Sequence, residues 1–288
     1  MVEVLVQEGN TVKNVCMVLH LNRADYYRKK ACKVNARNTT ILEERKRQKR
    51  IILENIQQIK SEHLFWGYRR VRAYLHYKKG IKLSFKYVYQ LMKQNNLLVD
   101  VKRYKAKRRP QREKIRAEKQ NTVWGTDMTK FYVDTVGWLY FVVVLDWYTK
   151  KIVGWDLSLR SKSEQWIDAL TQAVEQELIL GSREYELMLI SDNGSQPTST
   201  KYESTCYHLE IRHITTSYSN PKGNADTERF FRTFKEEVVW TNDFSKVEDA
   251  KTAVEYFINF YNNNYPHSAL GYISPVDFIK QQNYQKVA

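Results

Sequence analysis

Cysteine is scarce in this chain: Cys16, Cys32 and Cys206 are its three, odd in number and without a Cys-x-x-Cys pair. That scarcity excludes a disulfide framework and a structural zinc site, and it points to a reducing cytosol. Cys206 and His208 are neighbours, but no second pair matches them, so they read as ordinary core residues. Long apolar runs are also missing. The longest, FVVVL at 141–145, falls far short of the roughly 20 residues a membrane helix needs, and no N-terminal signal pattern is present. The expectation is a soluble, cytoplasmic protein with no membrane partner. Negative charge is in deficit as well: 32 Asp and Glu against 47 Lys and Arg give +15 and a pI near 9.5. Such a balance favours a polyanionic partner, although a ribosomal or merely basic protein would show it too.

What is present is enough apolar material for a core (42% hydrophobic, 13% aromatic) in 288 residues, room for one large domain and one or two small ones. Residues 1–30 read as short helices, with Thr11 capping the middle one and Val12, Val15, Cys16 and Leu19 on one face. This 1–60 region, continued by a charged helix at 41–60 with Ile52, Ile56 and Ile59 as its stripe, is a candidate helix-turn-helix or a plain helical hairpin. A second helical pair occupies 61–100: Tyr68, Val71, Arg72 and Leu75 in register, a stop at Gly80, a cap at Ser84, then Val88, Leu91 and Met92 inward. Its Arg69, Arg70, Arg72, Lys86 and Lys93 suit a small DNA-binding unit. Residues 101–120 hold ten Lys or Arg against Glu113 and Glu118, with Pro110 and few apolar residues. They read as a basic linker whose Lys107, Arg108 and Arg109 track a phosphate backbone.

From residue 122 the hydrophobic period shortens. TVWGTDMTKFYV, WLYFVVVLDWYT and KIVGWDLSL predict three antiparallel strands. Trp124, Trp138, Trp147 and Trp155 are expected in their core. A helix at 163–179, a strand LMLI, a helix near 198–209, a strand IRHITTS, a long helix from about 223 to 240 and a last helix from about 247 to 263 follow. That order is the order of an α/β, ribonuclease-H-like mixed sheet, here preceded by a small all-α helix-turn-helix region.

Three carboxylates stand out in this frame. Asp127 lies mid-way along the first strand, where an Asp is costly to bury unless a cation meets it. Asp192 follows LMLI at a strand's carboxyl end, where open α/β sheets gather ligands, and Asn193-Gly194 turns the chain away. Glu228 follows Asp192 after thirty-five intervening residues and lies near a helix start, with Arg232 and Lys235 on the same face. Three hard oxygen ligands in a basic chain predict divalent magnesium and phosphoryl transfer on nucleic acid. Arg232 and Lys235 would then meet phosphates, while Asn193, Gln196 and Asn224 would order the site. Asp146 reads as a turn cap rather than a fourth acid, and His267 as locally packed or hydrogen-bonded.

WGTDMTK, SDNGSQ and NADTERFFRTFKEE at this spacing resemble the DDE core of bacterial insertion-sequence transposases, above all the family founded on insertion sequence three. NNNYPHSALGYISP resembles that family's C-terminal signature, with Tyr265 where Arg is usual, and GYRRVRAYL with SFKYVYQLMKQNNLL resembles its helix-turn-helix. The resemblance spans about 60–280 and implies a catalytic core over 121–285. It implies two-metal chemistry, with Asp127 shared by two Mg²⁺ ions (Mn²⁺ substituting) and Asp192 and Glu228 completing one site each. It further implies cleavage at element ends, strand transfer of double-stranded DNA into a target, and a homo-oligomer of at least two copies. Fusion to an upstream-frame product and a bacterial, nucleoid-associated location complete the expectation. The competing readings are a ribonuclease-H-like nuclease without joining activity and a non-catalytic DNA-binding regulator.

Overall fold

The computed structural model describes residues 2–33, 36–99, 115–178, 181–216 and 224–287. Two compact units divide the chain, 1–58 and 59–288. In the first, α1 (Val2–Gln7), α2 (Val12–Val18) and α3 (Arg23–Lys33) are the short helices the periodicity predicts. The Thr11 hydroxyl accepts from the Asn14 N–H at 3.3 Å, and Val15 and Cys16 are buried. The long helix α4 (Ala36–Glu62) starts five residues earlier than the sequence pattern suggests.

In the second unit, α5 (Tyr68–Tyr77) and α6 (Phe85–Gln94) form the expected pair. Gly80 turns the chain at φ +69°, and Ser84 caps α6 by accepting from the Tyr87 N–H. The sheet comprises β1 (Val123–Val133), β2 (Gly137–Asp146), β3 (Ile152–Ser158), β4 (Met188–Ser191) and β5 (Arg212–Thr215). Their spatial order is β3-β2-β1-β4-β5, with β1–β2–β3 antiparallel and β4 and β5 added parallel to β1. This is the mixed sheet the element order predicts.

Alternation along β1 divides the core in two. Trp124, with Val142 and Val144 of β2, packs beneath α7 (Ser163–Glu177) and α8 (Thr200–His208) against Trp166, Leu170 and Tyr202. On the opposite face, Phe131 and Phe141 meet Phe234 of α9 (Ala225–Phe234) at ring distances of 5.8 and 4.7 Å. Phe257 of α10 (Val247–Asn263) closes that layer.

Some expectations need correcting. The predicted 223–240 helix is α9 followed by a π-helical turn, Lys235–Val239. A further helix, α11 (Pro275–Val287), follows the one expected to be last. Trp138 is 48% exposed rather than core, because it sits at the hairpin end of β2 beyond the cover of α7 and α8. His208 is exposed too, on the outer side of the last turn of α8, whereas Cys206 is buried.

Candidate active site

The parallel pairing of β1 with β4 brings two of the three carboxylates together. Its last paired residues are Gly125 and Ile190, so Asp127 and Asp192 each stand two residues further on, at one level. Asp127 is held in place by its own backbone: Oδ1 accepts from the Met128 N–H at 2.7 Å. Asp192 Oδ1 accepts from the Gly194 N–H at 3.2 Å, the turn anticipated from Asn193-Gly194.

Glu228 is delivered by close packing of α9 on β1. Gly125 is what permits the approach, since a Cβ there would meet the Trp147 indole and the Thr227 hydroxyl well inside 3.0 Å. In its absence, Trp147 Nε1 donates to Thr227 Oγ1 at 3.2 Å across the interface. Asn224, buried at the start of α9, donates through Nδ2 to the Thr126 carbonyl at 3.2 Å. Thr227 and Glu228 are adjacent, so the two hydrogen bonds and the missing side chain together fix the turn of α9 that carries Glu228, whose side chain is exposed. Gly125 and Thr227 escaped the reading of the sequence, which expected Trp147 in the core but not in this contact; the only signal was a glycine inside a strand.

The electrostatics agree with this placement. Burial pushes the Asp127 carboxyl up to about 7, and the charges of Asp192 and Glu228 add to it, against the Met128 N–H and the Lys235 ammonium. A half-buried carboxylate raised by two others is a group that a divalent cation would relieve. Among the described residues, no three His, Cys, Asp or Glu groups stand close enough to enclose an ion as they are placed. The fit therefore rests on the all-oxygen donor set and on the charges of Asp192 and Glu228 that add to the rise at Asp127.

The remaining candidates fall into place around them. Gln196 is tied to the start of α7, its Nε2 donating to the Ser161 carbonyl and hydroxyl at 3.3 and 3.2 Å. Asn193 is exposed beside Asp192. Lys235 shares the Glu228 face, within electrostatic reach of Asp127. Arg232 is also on that face but spends its guanidinium on Glu236 at 2.9 Å. Asp146 is a buried turn cap, accepting from the Thr149 hydroxyl at 2.6 Å and from the Tyr148 N–H, as expected. Arg69 is exposed, lying along the Tyr68 ring. Arg70 stacks on the buried Tyr265 ring at 4.8 Å, so a guanidinium reaches Tyr265 from α5. His267 packs between Tyr261 and Tyr265, and its Nδ1 accepts from the Ala269 N–H. Lys107, Arg108 and Arg109 lie outside the described residues.

Comparison with known proteins gives this geometry a family. Two models of an integrase core domain match residues 117–221 and 209–275, and an HTH-like domain matches 46–105. The chain is 32% identical over 247 residues to the transposase for insertion sequence element IS904 of Lactococcus lactis subsp. lactis (strain IL1403), covering 81% of this chain and 95% of that one. It is 27% identical over 240 residues to transposase InsD for insertion element IS2D of Escherichia coli (strain K12), covering 80% and 79%. Among solved structures, a simian T-cell lymphotropic virus intasome aligns with a TM-score of 0.48 at 18% identity, covering 72% of this chain and 73% of that one. No helix among the described residues is long and apolar enough to cross a membrane. By its relatives and its integrase-type core, the chain belongs to the DDE transposases of the insertion-sequence-three family, enzymes of DNA transposition.

Proposed function

We propose that Asp127, Asp192 and Glu228 are the catalytic carboxylates of this transposase, acting on the phosphodiester backbone of double-stranded element ends and target DNA. One observation carries the reading: the half-buried Asp127 carboxyl feels both Asp192 and Glu228, although the three come from a strand, a strand end and a helix. They would hold two Mg²⁺ ions, or Mn²⁺ in their place. When bound, such ions activate the attacking oxygen and stabilise the leaving one in an in-line displacement.

The chain's own groups prepare that reaction. The Met128 N–H fixes one Asp127 oxygen, and no hydrogen bond to the other is seen among the described residues. The Gly194 N–H does the same for Asp192. The clamp of Thr227 on Trp147 holds on the sheet the helix turn that carries Glu228. Lys235 stands where it would neutralise a phosphate next to Asp127, and the exposed side chain of Arg232 would meet the backbone after exchanging Glu236 for it. Asn193, Gln196 and Asn224 keep the loop and helix start in register. Arg69 and Arg70 would carry DNA contacts on the 61–100 unit, and Lys107, Arg108 and Arg109 on the 101–120 linker, ahead of a core over 121–285. The 1–60 region would be a separate helical unit, a second candidate helix-turn-helix.

Joining two ends requires at least two copies of the chain, and fusion with an upstream-frame product would supply further end recognition. The place of work is the bacterial nucleoid, where the DNA is. The named transposase relatives favour this reading over hydrolysis without joining and over a non-catalytic regulator. Its test is substitution at isosteric cost. Asp127→Asn, Asp192→Asn and Glu228→Gln should each abolish Mg²⁺-dependent cleavage and strand transfer while DNA binding survives. Cleavage by Asp127→Asn and Glu228→Gln at the wild-type rate would sink it.

A further inference from the structure

The short strand β4 ends at Ser191, and Asp192 is the first residue of the loop that leads into α8. The Gly194 N–H holds its carboxyl, while a separate chain of side chains holds its backbone. Among the described residues no backbone N–H reaches the Asp192 carbonyl, and the buried Ser191 hydroxyl donates to it at 2.8 Å. Ser191 Oγ lies 2.9 Å from Nε2 of His213 on β5. His213 Nδ1 in turn lies 2.9 Å from a carboxylate oxygen of Glu203, in the first turn of α8. The imidazole is only 3% exposed and packs edge-on against Tyr202 at 5.5 Å. One ring therefore ties together the two ends of the loop that carries Asp192, Asn193 and Gln196.

We propose that His213 is a positioning residue of this transposase: through Ser191 it fixes the backbone of Asp192, and so the direction in which that carboxylate meets a divalent ion. The inference rests on the reading of Asp192 as a catalytic carboxylate and names what sets its position. The protons decide the roles. The single hydroxyl proton of Ser191 goes to the Asp192 carbonyl, so Ser191 can only accept from His213 Nε2. The Glu203 carboxylate can likewise only accept from Nδ1. Both ring nitrogens donate, which no apolar residue packed under α8 could do. A serine, a histidine and a carboxylate in this order also make a hydrolase triad. Here the hydroxyl is buried and its proton is committed to a carbonyl, so it is no nucleophile. What such a chain does beside a metal ligand is orient it, and losing such a partner costs about 10–100-fold in metal affinity or activity.

The test uses amides that each stand in for one ring nitrogen. Gln places an N–H where Nε2 stands and keeps the Ser191 bond, whereas Asn places one where Nδ1 stands and keeps only Glu203. His213→Asn and Ser191→Ala should raise the Mn²⁺ concentration for half-maximal cleavage about 10–100-fold, with recovery at saturating Mn²⁺. His213→Gln should stay within about threefold of wild type. Mn²⁺ binding to the full chain without DNA, read from loss of the free-ion EPR signal, should weaken in the same order. DNA affinity without metal should not change. Equal behaviour of the Asn and Gln variants would reduce the ring to a space-filler and overturn the proposal, as would wild-type Mn²⁺ affinity in Ser191→Ala. Asp192→Asn, run alongside, keeps the two assignments apart. If it binds Mn²⁺ and cleaves as wild type does, the catalytic reading of Asp192 fails. If it is inactive while His213→Asn and Ser191→Ala match wild type, only the positioning role fails.

Discussion

Gly125→Ala is the sharpest test of how the site is built. The added methyl would stand 2.8 Å from Trp147 Cε2 and closer still to the indole nitrogen and the Thr227 hydroxyl. Carbon atoms rest at about 3.5–4.0 Å, so the indole and α9 must withdraw by about 1 Å. Overpacking of that kind costs about 1–3 kcal/mol of stability. Its catalytic cost should be larger, because Glu228 moves with Thr227, and an error of about 1 Å in a catalytic group reduces rate by about a hundredfold. Gly154 separates the two effects. There a Cβ would collide with α7, at 2.8 Å from the Ala173 Cβ, on the sheet face away from α9. Gly154→Ala should therefore lose comparable stability without the hundredfold loss in cleavage. The assay is Mg²⁺-dependent nicking of plasmid carrying the element ends, with thermal unfolding and DNA affinity measured on the same preparations. Wild-type nicking by Gly125→Ala, or an equal fall in Gly154→Ala, would refute the claim that this contact positions Glu228.

Two further outcomes follow from buried polar groups. Glu237 accepts from Trp66 Nε1 at 2.7 Å and contacts His63 Nδ1 at 2.8 Å, with its side chain only 6% exposed. Glu237→Ala strands those partners and should cost about 3 kcal/mol, lowering Tm by about 6–12 °C in calorimetry. A change below 2 °C would show that the network contributes nothing net. His267 has its pKa lowered from 6.5 to about 3, by burial first and then by the charges of Lys150, Arg70 and Arg229. The unfolded chain therefore binds the extra proton first, and this contribution to stability is lost as pH falls from 6.5 towards 3. Tm should drop with acidification over that window, and His267→Asn should flatten the slope; parallel slopes would contradict the assignment.

Much of the fold was legible because its signals are local. Thr11 and Ser84 cap the helices where their hydroxyls can reach a free N–H, and the switch from helical to alternating periodicity after 120 marks the sheet. Trp138 shows where that legibility stops. An alternating strand says which residues share a face but not how far the covering helix extends, and α7 and α8 cover only as far as Met128. The π-helical turn after Phe234 was equally illegible, since residues 235–240 carry no breaker.

The sequence alone determined the three acids, their spacing, the excess of positive charge and the order of elements, because each is carried by residue type or by neighbours within a turn or two. Only the tertiary structure decided that Asp127 and Asp192 end at one level of the sheet, with Glu228 within electrostatic reach of Asp127. That depends on β4 aligning with β1 until Gly125 and Ile190, and on a glycine that lets α9 approach until Thr227 bonds Trp147. Parallel register and helix-to-sheet distance join residues tens to a hundred positions apart, and no local pattern encodes them.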